Sequence, residues 1–236
     1  MLPERKELTS YAPLAEPRTV RLCFVKLGAL QYISHLDLQR TFARILARAE
    51  LPLWYTQGFN PHPKLVFGLP LPVGCESVCE MADIRVERDM PCEEILARMK
   101  SATSAELDFT ACYPSERKFA DIASAEYEFR IECPGADDAL CRAIETVLTT
   151  SPLVVLKHTK SGEKEVDIVP LIRSACARAE AGAVVLTATV AAGAADNLSP
   201  EYIVTALRRR LNVLRGNEEY TILRRRVLDA DGKDFR

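Results

Sequence analysis

The chain has little net charge, few histidines, and no apolar run long enough to cross a bilayer. Its 33 acidic side chains nearly cancel 31 lysines and arginines, leaving a formal charge of −2. No global field therefore draws it to nucleic acid or to an anionic membrane, and any such attraction has to come from local clustering. No stretch approaches the ~18 apolar residues of a membrane helix. Residues 1–18 are polar and punctuated by proline, without the apolar centre of a secretory signal. The expectation is a cytoplasmic protein with no membrane partner. Its 236 residues, 48% hydrophobic and 27% charged, suit one large domain or two small ones.

Eight cysteines without a secretory signal read as reduced thiols rather than as a disulfide scaffold. Cys23, Cys133 and Cys141 fall in strand-like or helix-like patterns and suit core positions. Cys75 and Cys79 open like an iron–sulfur cluster motif, but the third thiolate would stand at position 82, which is Ala82. In a strand their sulfurs would also lie ~13 Å apart, too far to share one ion. Neither a metal site nor a cofactor is expected.

Val20 to Val25 alternates apolar and polar residues as a strand does. Ser34 then opens a helix, with Asp37 three residues on as a shortened capping box, and Phe42, Ile45, Leu46 and Ala49 form its apolar stripe. An extended segment follows at Leu53 to Thr56, then strands near Leu65–Leu69 and Cys79–Val86, a helix at Cys92–Lys100 and a strand at Leu107–Cys112. The second half repeats this order. Strands are expected at Glu126–Glu132, at Leu153–Lys157 and Val166–Ile172 around a Ser161-Gly162 turn, at Val184–Val190 and at Tyr220–Val227. Its helices are expected at Asp137–Thr149 and from Ser199 to Leu211, with Pro200 in the first helical position. Strand-helix-strand-strand-helix-strand, twice, predicts an α+β protein of two tandem ferredoxin-like (split βαβ) modules packed together. The expected divisions are a flexible tail over 1–19, a first module over 20–118, a second over 119–230 and a short tail over 231–236. The polar stretch Ser115 to Ser124 is the seam.

Chemistry concentrates in the first half. In Gln57-Gly58-Phe59-Asn60-Pro61-His62-Pro63-Lys64, each proline pushes the residue before it out of the helical region. In a fully extended chain Asn60, His62 and Lys64 would share one side. A stiff polar row of that kind suits a phosphate, a base edge or a carboxylate, because little ordering is lost on binding. The bland alternative is that Asn60 and His62 only satisfy nearby backbone. His35 and Asp37 stand in the first turn of the opening helix, where Asp37 suits capping and His35 suits either hydrogen bonding or general-base work. Arg40, Arg44 and Arg48 recur every fourth residue. They repel one another unless an anion is near, and a solvated face is the usual reason for such a stripe. Arg208 to Arg210, Arg215 and Arg224 to Arg226 add cations in the second half, although Arg225 points away from Arg224 and Arg226 in a strand. Glu76, Glu80 and Asp83 suit pairing with Lys26 or the arginines. His158, Lys160 and Lys164 look like an ordinary charged hairpin tip.

The segment Val20–Val86 resembles a bacterial family of radical-SAM-linked proteins of unknown function. The match is carried by Phe24-x-Lys26-x-Gly28, Ser34-His35-Leu36-Asp37-Leu38-x-Arg40, the Gln57–Lys64 run, Pro70-Leu71-Pro72-x-Gly74 and Glu80-x-x-Asp83. Lys157 and Glu165-x-Asp167-Ile168 match more loosely. The resemblance implies a gene beside, or fused behind, a radical-SAM protein with a cobalamin-binding-like domain, often near ribosome-biogenesis and ribonuclease genes. The chain lacks the three-cysteine cluster motif, which makes it the companion rather than the radical enzyme. The doubled ferredoxin-like plan also looks like that of CRISPR repeat-processing endoribonucleases, an analogy of fold alone.

The expected function is a non-catalytic, RNA-binding or substrate-presenting partner of a radical-SAM enzyme, in RNA modification or processing. Lys26, Arg40, Arg44 and Lys64 would meet phosphates. Asn60 and His62 would read a base or sugar edge, with Phe59 as a stacking platform, and His35 completes the nucleic-acid-binding set. One alternative is a metal-independent endoribonuclease using His35 and His62 as base and acid with Lys64 or Lys26 stabilising charge. Another is an adaptor that touches only the radical-SAM protein.

Overall fold

A computed structural model describes residues 10–159, 162–194, 196–211, 213–214 and 219–236. Lys160, Ser161, Arg215, the side chain of His158 and the first nine residues of the expected tail lie outside the described set. The chain is mixed α+β and divides into two compact units, Met1–Phe119 and Ala120–Arg236. Among the described residues no helix is long and apolar enough to cross a membrane.

The first unit runs β1 (Pro13–Lys26), α1 (His35–Arg48), β2 (Leu65–Phe67), β3 (Cys75–Arg88), α2 (Cys92–Ser101) and β4 (Phe109–Pro114). Its strands pair antiparallel in the order β4-β1-β3-β2. Alternation decides what goes inside. Val20, Leu22 and Phe24 of β1 and Ala82, Ile84 and Val86 of β3 join Leu38, Phe42, Ile45 and Leu46 of α1 in one core with Ile95 and Met99 of α2. Phe42 anchors it, its ring 4.8 Å from Phe24, 4.9 Å from Phe67 and 5.5 Å from Phe109, all edge-on. Such edge-on aromatic pairs add to the burial gain.

The alternate residues of β1 and β3 build something the hydrophobic pattern does not announce. Arg21 stands opposite Asp83 in register and is wholly buried. Its guanidinium donates to both Asp83 carboxylate oxygens at 2.8 and 3.0 Å, to Ser115 Oγ at 2.9 Å and to the Arg117 carbonyl at 2.7 Å. The Phe119 ring covers it at 4.2 Å. Asp83 was expected to pair with Lys26 or an arginine, and Arg21 is that arginine. Gly68 is required beneath the same ring, because an added Cβ would come within 2.6 Å of it.

The second unit runs β5 (Ile122–Glu132), α3 (Asp138–Thr149), β6 (Val154–Thr159), β7 (Gly162–Asp167), β8 (Ile172–Glu180), β9 (Ala183–Ala191), α4 (Glu201–Arg210) and β10 (Tyr220–Asp229). Four strands pair antiparallel in the order β10-β5-β9-β8, and β6 and β7 form a separate hairpin. Asp137 caps α3 by accepting from the Leu140 amide at 2.7 Å. The core includes Tyr127, Phe129 and Ile131 of β5, Leu186 and Val190 of β9, Ile144 and Leu148 of α3, and Ile203 and Leu207 of α4.

Three boundaries differ from expectation. β1 starts at Pro13 rather than Val20, because a register shift between Pro13 and Arg18 absorbs Pro17, which alternation alone does not see. β8 is a whole strand that the pattern misses: its half-buried positions include Ala175, Ala177 and Ala179, too small to print a hydrophobic period of two. The expected strand Val166–Ile172 is instead the end of β7, a 3-10 turn at Val169–Leu171 and the first residue of β8. Near the C-terminus Phe235 is buried and its amide donates to the Val227 carbonyl at 2.8 Å.

Candidate functional site

The segment between α1 and β2 is where the first unit departs from a plain layer of helices on a sheet. It leaves α1 at Glu50, whose φ of 51° ends the helix in the left-handed region. It then runs along β3, with the Trp54 amide donating to the Arg85 carbonyl and the Glu87 amide to the Pro52 carbonyl, each at 2.9 Å. The Arg85 guanidinium lies 4.9 Å from the Trp54 ring centre. From Trp54 the chain goes out and returns as a narrow hairpin closed by a Tyr55–Pro63 bridge and by the Thr56 amide on the His62 carbonyl at 2.9 Å.

Thr56 pins the returning strand. Its hydroxyl accepts the His62 amide at 3.2 Å and lies 3.1 Å from His62 Nδ1. The Asn60 carbonyl, which can only accept, sits 3.0 Å from the same ring nitrogen. That contact requires the proton on Nδ1 and leaves Nε2 as the lone-pair nitrogen of the neutral ring. No partner for Nε2 is found among the described residues.

Gln57 to Pro61 form the exposed tip. Gly58, with φ 134°, makes the bend, and Phe59 carries a fully exposed ring at 113% of its reference area. Asn60, His62 and Lys64 are exposed as well. Residues 57–60 are bent rather than extended, so Asn60 does not continue the line of His62 and Lys64. Pro61 and Pro63 fix only the residues that precede them, and the glycine decides the rest.

The other expected residues are distributed more widely. Ser34 caps α1, its Oγ accepting from the Asp37 amide at 3.1 Å, but the return bond of the expected box is replaced: Asp37 Oδ2 accepts from the Ser34 hydroxyl at 2.7 Å. That hydroxyl, with Arg40 at 3.2 Å, holds the Asp37 carboxyl below the usual aspartate range. His35 is half-buried, edge-on to Phe67 at 5.1 Å, with Nε2 3.0 Å from Gln39 Nε2. Arg40 is spoken for by Asp37, and Arg48 donates to the Ala102 carbonyl at the end of α2. Arg44 is exposed with no ion pair among the described residues. Lys26 is buried, 1% exposed, at the end of β1. The helical stripe is therefore one solvated arginine between one that pairs within α1 and one that bonds the end of α2.

A shallow cavity of about 200 Å³ lies at the ends of α1 and α2, lined by Arg48, Glu50, Arg98 and Ser101 among others, and neither histidine reaches it. None of the eight cysteines, all of them among the described residues, is in a disulfide; Cys141 is buried, whereas Cys23 and Cys133 are only half-buried. Burial raises the Cys112 thiol and the Tyr113 phenol well above their usual ranges. Thr56 is the residue that sequence reasoning passed over. The signal was its place just before Gln57-Gly58 with a histidine six positions on.

The pattern of the bacterial family described as "Uncharacterized protein conserved in bacteria (DUF2344)" matches residues 19–200. No curated protein matches the chain. Among solved structures it is similar to one titled "Crystal Structure of an Unknown Protein from Galdieria sulphuraria", at 12% identity over 89% of this chain and 99% of that one, with a TM-score of 0.25. That likeness is too slight to bear on fold or function. The family match spans both units, taking in the hairpin tip at Gln57–Pro61 as well as β6 and β7. The chain belongs to the bacterial family DUF2344.

Proposed function

We propose that the protein is an RNA-binding, substrate-presenting partner of a radical-SAM enzyme, built from two ferredoxin-like modules. The module reading is supported by the strand orders β4-β1-β3-β2 and β10-β5-β9-β8. In each the fourth strand and the third flank the first, which is what a split βαβ unit requires. The radical-SAM pairing rests on the resemblance of Val20–Val86.

One observation carries the binding role: a fully exposed phenyl ring on a loop whose base is held rigid by Thr56 and His62. An apolar ring in water has no structural use there, and its loop has already lost most of the freedom that binding would cost. An unstacked base finds in Phe59 a flat partner of its own size. Lys64 offers a phosphate contact, and His62 Nε2 and the Asn60 amide offer hydrogen bonds to a base edge or a 2′-hydroxyl. Arg44 adds a cation, while Lys26 is too enclosed to serve without rearrangement.

Nothing in the geometry favours the endoribonuclease alternative. His35 is engaged with Gln39 and Phe67, and the cavity at the helix ends holds no imidazole. The test is crosslinking in cells followed by sequencing of attached RNA, with wild type beside the His62→Ala, Lys64→Ala double variant. Reproducible RNA targets lost in the double variant are expected. Co-purification of a radical-SAM protein with no RNA enrichment would leave only the adaptor role.

A further inference from the structure

The hairpin of β6 and β7 sorts its charges by face. Lys157 stands directly opposite Lys164 in register, with Val155 opposite Val166 on the same face. Glu165 and Asp167 occupy positions facing the other way. Two lysines directly across a ladder repel each other, and a neighbouring carboxylate would normally relieve that. Here none does: Lys157 Nζ donates only to the Asn197 carbonyl at 3.1 Å, and neither lysine has an ion pair among the described residues.

The rest of the unit shows that acids are not scarce. Arg130 pairs with Glu132 and Glu180, Arg178 with Glu180, Arg225 with Glu128, and Arg226 with Glu126 and Asp234. These four strand arginines are neutralised where they stand, whereas Arg173 of β8 donates to the Pro170 carbonyl at 3.2 Å and Arg224 of β10 to the Tyr127 hydroxyl. The last two arginines of α4 are not paired with an acid among the described residues. Arg209 and Arg210 are exposed without an ion pair among the described residues, and Arg210 donates only to the Pro152 carbonyl at 3.2 Å.

That last bond also orients the elements. The end of α4 lies beside residue 152, and the loop before α4 lies beside Lys157, so β6 runs alongside α4 in the opposite sense. Five residues of strand separate these two points by ~17 Å. The result is an edge with uncompensated cations at both ends.

We infer that this edge, from Lys157 and Lys164 to Arg209 and Arg210, is a second contact surface, which holds the phosphate backbone of RNA without reading its sequence. The ligand class rests on the proposed function, while the surface itself rests on the charge pattern. A membrane is disfavoured because no exposed large apolar side chain accompanies the cations among the described residues: on their face Val155 is buried and Val166 half-buried, and the exposed Val154 alternates onto the opposite face. Point charges on a regular ladder suit a polyanion whose charges repeat.

The experiment measures binding of a fluorescein-labelled, mixed-sequence 20-nucleotide single-stranded RNA across a salt series. Wild type is compared with Lys157→Ala/Lys164→Ala, with Lys164→Glu and with Phe59→Ala. Removing two phosphate contacts lowers the slope of log K against log salt by ~1.4 for a single strand. Lys164→Glu is expected to weaken binding at least tenfold near 0.1 M salt while raising the melting temperature, because it replaces a repulsion with a cross-strand ion pair. Phe59→Ala should weaken binding with the slope unchanged.

If only Phe59→Ala matters, this inference fails and the proposed function stands. If only the lysine variants matter, the surface stands and the base-stacking role fails. Absence of RNA binding by wild type overturns both. Lysine-dependent binding to phosphatidylserine vesicles without RNA binding assigns the edge to a membrane and overturns the inference.

Discussion

Each unit carries an insert in the same place, between its first helix and its second strand, and the two inserts are built on opposite plans. In the first unit residues 54–64 form a narrow hairpin with two prolines, a glycine bend and a bare phenyl ring. In the second, β6 and β7 make a regular ladder with charges sorted by face. Their bases are secured by equivalent means. Thr56 ties the first through the His62 amide and ring. Asp167 ties the second, accepting from Ser151 Oγ, from the Leu153 amide at 2.9 Å and from the Val169 amide at 3.1 Å. Similar anchors hold different surfaces: one offers a flat ring and hydrogen-bonding edges, the other point charges. Contacts to phosphate position a nucleic acid and contacts to bases specify it. The difference between the inserts fits that division.

The comparison supposes that the sheets and helices carry stability while the inserts carry recognition. The largest expected effect tests the first half of that statement. Arg21→Ala leaves Asp83 short of its buried partner and should destabilise the first unit by ~3–5 kcal/mol, read as a shift in the urea midpoint. A loss below ~1 kcal/mol would show that the buried pair is not what holds this face. Next is Phe59→Ala, which should cost ~1–3 kcal/mol in RNA affinity by base stacking. The same change should move the melting midpoint by no more than a surface substitution does, about ±0.5 kcal/mol.

Gly58→Ala sharpens the comparison further. An added Cβ meets nothing within 4 Å, so any penalty comes from the positive φ alone. That strain is of order 1–3 kcal/mol and should appear as faster hydrogen exchange at the His62 amide, with the ladder of β6 and β7 unaffected. The smallest effect concerns Asp167, whose carboxyl is held below the usual aspartate range by Ser151 and by the Leu153 and Val169 amides. A depressed native value means this stabilisation is complete above the ordinary aspartate range and is lost as pH falls through the native value. Exchange at Leu153 and Val169 should therefore accelerate at acid pH, once the intrinsic rate is divided out. Asp167→Asn should show the faster exchange already at neutral pH, and an unchanged profile would remove Asp167 as the anchor.

Much of this architecture is legible in the sequence. The cap at Ser34, the stripe Phe42-Ile45-Leu46 and the alternation of Val20, Leu22 and Phe24 each follow from period and side-chain chemistry, and each lands where expected. The elements that escape have small or contrary residues where the pattern needs large apolar ones. β8 is lined with alanine, and the start of β1 contains Pro13 and Pro17. At the candidate site, exposure of the Gln57–Lys64 run follows from its polarity and prolines. Its bend does not, because Gly58 accepts many conformations and Thr56 selects one through a contact six residues away. The buried pair of Arg21 and Asp83 was half-visible: the acid was picked out, but not its partner, since in-register opposition across two strands is a property of pairing and not of local sequence. That Lys157 faces Lys164, with no ion pair for either among the described residues, escaped for the same reason.

The most direct test of the central claim, that the exposed Phe59 hairpin is where RNA bases are held, is ultraviolet crosslinking of the purified protein to single-stranded RNA, with adducts located by mass spectrometry. The account predicts nucleotide adducts concentrated on the peptide containing Gln57 to Lys64 and abolished by Phe59→Ala. Adducts confined to other peptides, with this one unmodified, would contradict it.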